Sequence, residues 1–285
     1  DNFFVLRGFK DAAAIASALG RHEDAAHFGD LASSFRTTLM ASLERTAREK
    51  DKDYLAGCAE LGDFDPTSTS IAISPGGELE RLPKALLATT FERYWRFCEG
   101  RISGKDAWDA YTPYELRSLS SYVRLGQRER ALKLLDFFVN DVRPTAWNHW
   151  AEVVYRDYRA GRYIGDMPHT WCGAEFLRSI RDFFVYEDES HGSLVVGAGV
   201  PRRWLAGEGL SIASMPTAHG AITLRATSIL AMDRYLLAGQ TDAPGGVWVV
   251  SPRDELPKAV RVNSQVVRAA NKVRVSLPAI VEFSY

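Results

Sequence analysis

Four of the chain's seven tryptophans, Trp108, Trp147, Trp150 and Trp171, fall between residues 104 and 175. Tyr111, Tyr114, His149 and His169 share that stretch, interleaved with Asp109, Glu115, Glu152, Asp157, Asp166 and Glu175. Periodicity places much of it in loops, notably 143–150 and 156–169. Loops this apolar are costly in open water, so they must line something concave. Flat aromatic faces stack on the apolar faces of sugar rings, while carboxylates, amides and guanidinium groups bind hydroxyls. The mixture is what a carbohydrate pit requires. The competing reading is that the tryptophans fill the centre of a large helical domain.

Four short stretches carry the chemistry. In Trp147-Asn148-His149-Trp150-Ala151-Glu152-Val153-Val154, Glu152 lies among aromatic and aliphatic neighbours, where desolvation can raise a carboxyl pKa or present a base. The alternative is an acid at a helix N-terminus, stabilised by the dipole. In Trp108-Asp109-Ala110-Tyr111-Thr112-Pro113-Tyr114-Glu115-Leu116-Arg117, Pro113 can open a helix capped by Asp109 or Thr112. Capping and ion pairing compete there with function for Asp109 and Glu115, the latter pairing with Arg117 or a neighbour. In Ile164-Gly165-Asp166-Met167-Pro168-His169-Thr170-Trp171, Asp166 with His169 makes a clamp for sugar hydroxyls, or Thr170 is a plain cap. Last, Asp65-Pro66 is a helix start with Asp as cap and Pro as first residue. Asp63 and Asp65 have the spacing of a calcium loop without its glycine and terminal glutamate.

The sequence also excludes. Lys plus Arg number 35 against 36 Asp plus Glu, for a net charge of −1. That balance argues against a dedicated nucleic-acid or anionic-membrane binder. No run reaches the ~18 apolar residues of a membrane span. Cys58, Cys98 and Cys172 are odd in number and far apart, so they make neither a zinc spacing nor a disulfide framework. No phosphate loop, dinucleotide fingerprint or nucleophile elbow is present, and no cofactor or metal is expected.

The elements that must position these residues change character along the chain. Up to about residue 186 the pattern is helical. Phe9, Ala12, Ala16 and Leu19 mark one helical face, and Phe28, Leu31, Phe35, Leu39 and Leu43 a second, joined by a turn at Gly20-Arg21-His22-Glu23 into an antiparallel hairpin. Leu19-Gly20-x-x-Glu23-x-Ala25 recurs as Leu125-Gly126-x-x-Glu129-x-Ala131, flanked by helices near 114–125 and 128–141. Two copies are too few for a regular solenoid and suit a ring of unequal helical hairpins better. Further helices are expected near 66–73, 82–98 and 171–185. From about 193, Leu194-Val195-Val196, Ile222-x-Leu224, Val247-x-Val249 and Val273-x-Val275-x-Leu277 read as antiparallel strands. Gly207, Gly220, Gly245-Gly246 and Asn263-Ser264 punctuate them.

In its motifs the chain resembles the six-hairpin glycosidases, the (α/α)6-toroid group of glucoamylases, trehalases and processing glucosidases. Trp150-Ala151-Glu152-Val153 followed by Gly165-Asp166-Met167-Pro168-His169-Thr170-Trp171 is similar to the glucoamylase order of general base, Gly–acid–x–Pro turn and aromatic helix start. The hairpin from Asn2 to Leu43 resembles the helix pair that follows the general-acid loop. The resemblance implies a mainly α fold: an incomplete (α/α)6 toroid over 1–188, followed by a small antiparallel β-domain over 189–285. It implies Glu152 as general base of an inverting glycoside hydrolase, with Asp109 and Asp166 as further catalytic candidates. Trp108, Tyr111, Glu115, Arg117, Trp147, His149, Trp150, His169 and Trp171 would bind a carbohydrate substrate.

In the family the general acid lies just upstream of the region equivalent to Asn2, so the resemblance implies that it is Asp1 or precedes it, and the opening on Asp1 and Phe3-Phe4-Val5-Leu6 reads as if it continued a longer chain. A preceding N-terminal part of the same protein is therefore an expected partner, and the compartment stays open. Two other readings remain: a phosphorylase on the same toroid, with His149, Arg156 and Arg159 as anion pocket, and a non-catalytic helical-repeat scaffold or glycan-binding module.

Overall fold

A computed structural model describes residues 1–142, 145–157, 159 and 162–285, with Thr145 described through its backbone alone. The start of the loop expected from Arg143 lies outside the described residues. The architecture is mixed, 43% helix and 22% strand. The chain divides into two compact units, residues 1–121 with 134–175, and 122–133 with 176–285.

The first unit begins with the helical hairpin. Helix α1 (Asn2–Ala18) and α2 (His22–Glu49) enclose Leu6, Ala32 and Leu39, against which Phe3, Phe9 and Phe35 pack. The expected faces need two corrections. Leu19 is 70% exposed because it is the C-cap of α1, already in the turn, and Leu31 is exposed while Ala32 takes the inward position.

Helix α3 (Pro66–Ile73) starts as Asp65-Pro66 predicts. Asp65 accepts from the amides of Thr67 and Ser68, both at 3.1 Å, and from both their hydroxyls. Burial alone would raise this carboxyl's pKa, but those donors outweigh it and hold the carboxyl below its ordinary value. Replacing Asp65 by Ala should cost about 1 kcal/mol, the usual worth of an N-cap, read from the urea midpoint, while Asp65→Asn should keep most of it.

Helix α4 (Lys84–Ser103) ends at Gly104 in the left-handed region. Two-residue strands β1 (Ala110–Tyr111) and β2 (Val154–Tyr155) pair antiparallel. A 3-10 turn, Pro113–Leu116, leads into α5 (Arg117–Arg124), and α6 (Arg128–Asn140) follows. The recurrent Leu-Gly signature has a common cause. Gly20 and Gly126 adopt φ of 71° and 72°, and a Cβ at either would meet nothing within 4 Å. Backbone conformation, not space, demands glycine there. The residue after each glycine returns its amide to the helix, Arg21 to Ala16 and Gln127 to Tyr122, closing the helix end as a left-handed cap does.

Helix α7 (Thr170–Phe184) runs without a linker into the strands of the second unit. These are β3 (Val185–Asp188), β4 (Ser193–Val196), β5 (Leu210–Thr217), β6 (Gly220–Ile229), β7 (Met232–Gly239), β8 (Gly246–Val250), β9 (Ala259–Val262), β10 (Gln265–Val267), β11 (Lys272–Val275) and β12 (Ala279–Ser284). They form a six-stranded sheet, β10-β9-β12-β7-β6-β5, and a four-stranded one, β11-β8-β4-β3. One core takes Leu194, Val196, Val247, Val249 and Val273 from the smaller sheet and Leu224, Tyr235, Val281 and Phe283 from the larger. Asn263 and Ser264, at φ 49° and 69°, make the tight turn between β9 and β10, the geometry that matches strand twist in a two-residue hairpin. One pairing departs from the antiparallel expectation, since β4 and β8 run parallel. The intervening chain, residues 197–245, permits it, because a parallel pair needs a long crossover.

Candidate active site around Glu152

Backbone pairing, not a helix, places Glu152. The β1–β2 ladder sets Tyr111 opposite Val154, and the Thr112 hydroxyl donates to the Glu152 carbonyl at 3.1 Å. Thr112, not Asp109, is the cap of the 3-10 turn. From the other side, the Glu152 amide donates to the Asp166 carbonyl (3.3 Å), Val153 to Ile164 (3.0 Å) and His169 to Trp150 (3.2 Å). The segment 150–155 is thus laced between 109–112 and 164–169. The helix-terminal reading of Glu152 does not apply, since no helix begins there.

Gly165 completes the fit. It sits at φ 70°, and a Cβ on it would lie 2.2 Å from Glu152 Oε2. The half-buried carboxyl accepts a hydrogen bond from the Tyr163 hydroxyl at 3.3 Å, and its charge raises the Tyr163 phenol above its ordinary pKa. Among the described residues, no Lys, Arg or His lies within ion-pair distance of Glu152.

The neighbouring carboxylates differ in this respect. Glu175 takes Arg117 Nε at 2.8 Å and the Trp171 indole at 3.1 Å. Glu115 is 7% exposed and spends both oxygens on Arg101 (3.1 and 2.7 Å) and the Tyr94 hydroxyl (2.7 Å). Asp109 is exposed and pairs with Arg162. Asp166 is exposed, 3.9 Å from His169 Nδ1.

An aromatic cluster adjoins Glu152. Tyr114 hydrogen-bonds His169 Nε2 at 2.8 Å, and its ring meets Trp171 edge-on at 5.5 Å. Burial first, then the charges of Cys172 and Glu152, raise the Tyr114 phenol. The Arg117 guanidinium lies 4.7 Å from the Tyr114 ring, 5.6 Å from Trp171 and 5.9 Å from Phe4. Trp171, 49% exposed, keeps part of its ring free.

Of the sequence candidates, Glu152, Asp166, His169, Trp171 and Arg117 therefore gather with Tyr114, Tyr163, Glu175 and Phe4. His149 sits behind them, its Nε2 3.3 Å from where a Cβ on Gly173 would lie. Trp108, Tyr111 and Glu115 belong instead to packing around Arg101 and Phe137, and Trp150 to packing on Phe138. Trp108 lies 5.8 Å from Tyr111 and 6.4 Å from Phe137, and the buried Trp150 indole donates to the Phe138 carbonyl at 3.3 Å. Trp147 is 57% exposed on a 3-10 turn. Four contributors went unassigned from sequence. Glu175 and Tyr114 stood in the aromatic stretch without roles, although the Trp171–Glu175 spacing of four residues in a helix is a readable contact. Phe4 and Tyr163 arrive only through tertiary structure.

Among the described residues, no group of three or more His, Cys, Asp or Glu is placed to hold a metal, and no helix is long and apolar enough to cross a membrane. The thiols give a simple check on this packing. Burial, with help from Glu115, pushes Cys98 up to about 12, and burial with Glu175 and Glu152, opposed by Arg117, pushes Cys172 up to about 12. Thiolate is the reactive form, so native protein at pH 8 should react rapidly with a disulfide reagent at the half-buried Cys58 alone. All three cysteines should react in denaturant.

No protein-family model and no curated protein matches the sequence. Among solved structures, the chain is similar to an alpha-L-rhamnosidase from Dictyoglumus thermophilum, with a TM-score of 0.56 and 12% identity over 99% of this chain. The chain spans 31% of the length of that protein. At this identity the likeness is one of fold alone, to part of the rhamnosidase.

Proposed function

We propose that this chain is part of an inverting glycoside hydrolase, its first compact unit belonging to an (α/α)6 toroid and its second carrying a β-domain, in which Glu152 is the general base. The observation that carries the reading is the state of Glu152: half-buried, backed by Gly165, touched by one phenol and free of any cationic partner among the described residues. A carboxylate neutralised by Arg is a poor base, whereas this one keeps lone pairs for a water proton. The glycoside-hydrolase fold of the similar rhamnosidase supports the class.

In this mechanism a sugar ring rests on the open face of Trp171. Asp166 and His169 hold its hydroxyls, with Tyr114 fixing the His169 ring. Arg117 is held by Glu175 and packs beneath the aromatics, so its role is to position Trp171. Water on the face away from the leaving group gives its proton to Glu152 as it attacks the anomeric carbon. A general acid whose carboxyl lies about 6.5–9.5 Å from that of Glu152, as inversion requires, protonates the departing oxygen from the other face. Turnover of a cleavable glycan by the complete gene product should not depend on inorganic phosphate. A strict phosphate requirement would assign a phosphorylase instead.

A further inference from the structure

The outer face of the four-stranded sheet carries a second group of residues whose chemistry the site around Glu152 does not use. Val247, Val249, Val273 and Val275 face the core, so their neighbours along β8 and β11 face outward. The pairing puts Tyr186, Val195, Trp248 and Arg274 in one row across the sheet. Ser193 and Lys272 stand on that face in the rows either side.

Two clefts of about 400 Å³ and 410 Å³ open on this face and share Lys272. The first holds Ser193, Trp248, Lys272 and Arg274, and the second Arg124, Arg128, Tyr186 and Asn271. Each contains a buried polar atom without a hydrogen-bond partner, Ser193 Oγ in one and Asn271 Oδ1 in the other. Such orphaned atoms are uncommon in a finished interior.

The charges on this face do not balance. Two carboxylates line the clefts, and both are engaged, Asp188 by His191 at 2.9 Å and Asp254 by Arg128 at 3.7 Å. Among the described residues, Lys272 and Arg274 have no carboxylate within ion-pair distance. Both are nevertheless positioned. Lys272 Nζ lies 5.1 Å from the Trp248 ring centroid. Arg274 Nε lies 2.6 Å from where a Cβ on Gly246 would be, so its guanidinium rests on that glycine. Same-face residues on a strand are roughly 7 Å apart, close enough for one carboxylate to meet both cations. Next along the face, Arg124 lies 4.5 Å from the Tyr186 ring.

We propose that this sheet face is a binding groove for an acidic oligosaccharide, one uronate carboxylate seating between Lys272 and Arg274. The ring's hydroxyls would meet the Trp248 edge and Ser193 after a rotation of the seryl side chain, and the next residues would run toward Asn271 and Arg128. Charge complementarity selects the acid, because planar guanidinium and ammonium donors suit carboxylate oxygens. The groove is independent of the Glu152 mechanism and is read by binding, not turnover.

The test is titration calorimetry of the full chain carrying Glu152→Gln with an α-1,4-galacturonate tetrasaccharide, its methyl ester and an acidic tetrapeptide. The acid should bind, more weakly at 0.5 M than at 0.05 M salt. Lys272→Ala and Arg274→Ala should each weaken it about fivefold without altering the thermal midpoint. Equal binding of the neutral ester, equal binding of the peptide, indifference to both substitutions, or no binding at millimolar acid would each overturn the proposal.

Discussion

Glu152→Gln in the complete gene product should fold as the parent does and turn over glycoside about 10²–10⁴-fold more slowly, the usual worth of a positioned general base. The substitution is nearly isosteric. The amide oxygen still accepts from Tyr163, and Gly165 still admits the side chain, so packing around the carboxyl is preserved. What disappears is the lone pair that takes the water proton. The loss should therefore fall on kcat, with KM little changed, because the sugar contacts proposed for Trp171, His169 and Asp166 would be untouched. Glu175→Gln provides the contrast. It breaks an ion pair whose side chains are 7% and 6% exposed and should lower stability as well as activity. A Glu152→Gln protein that is folded and retains most of its turnover would remove Glu152 from the mechanism.

The second large effect concerns Glu78, whose side chain is fully buried. It accepts from Lys10 Nζ at 3.0 Å and from Arg36 at 2.7 and 3.1 Å. One carboxylate therefore ties both helices of the α1–α2 hairpin to the turn after α3. Glu78→Ala removes the carboxylate shared by Lys10, Arg36 and, at 3.6 Å, Arg81. Breaking a buried pair costs about 3–5 kcal/mol. Lys10 and Arg36 keep 17% and 22% exposure and can turn toward water, so about 3 kcal/mol is expected, measured as a fall in the urea midpoint at pH 7.

Burial alone would raise the Glu78 carboxyl, but Arg36 and Lys10 outweigh it and hold its pKa below the ordinary glutamate value. The unfolded chain then binds the proton more readily. The contribution is complete above the unfolded pKa and is lost as pH falls through the folded one. The stability gap between parent and Glu78→Ala should thus be constant near neutrality and shrink in acid below about pH 4. A gap independent of pH would show that Glu78 acts through shape, not charge.

Local chemistry made parts of this molecule readable. Asp65-Pro66 announces α3 because cap and first residue are adjacent in sequence, and Gly20 and Gly126 announce two helix ends because a left-handed residue is needed there. Alternating Val247-x-Val249 and Val273-x-Val275 announce strands because the sheet buries every second residue. What could not be read depends on distant partners. Glu78 meets Lys10 and Arg36 across 68 and 42 residues, and no local pattern encodes that meeting. The same limit hid Phe4 beside Trp171 and the parallel pairing of β4 with β8. Aromatic density between 104 and 175 could not separate Trp171, which is half open, from Trp150, which is core. Residue type gives the chemistry a side chain can do, and burial decides whether a ligand can reach it.

The central claim is inversion at a glycosidic bond with water activated by Glu152. Its most direct test is to offer the complete gene product a panel of glycosides and follow the released sugar by proton NMR before mutarotation scrambles it. One glycoside should be cleaved, and the first product should have the anomeric configuration opposite to that of the substrate. A first product of retained configuration, or no cleavage across the panel by folded protein, would contradict it.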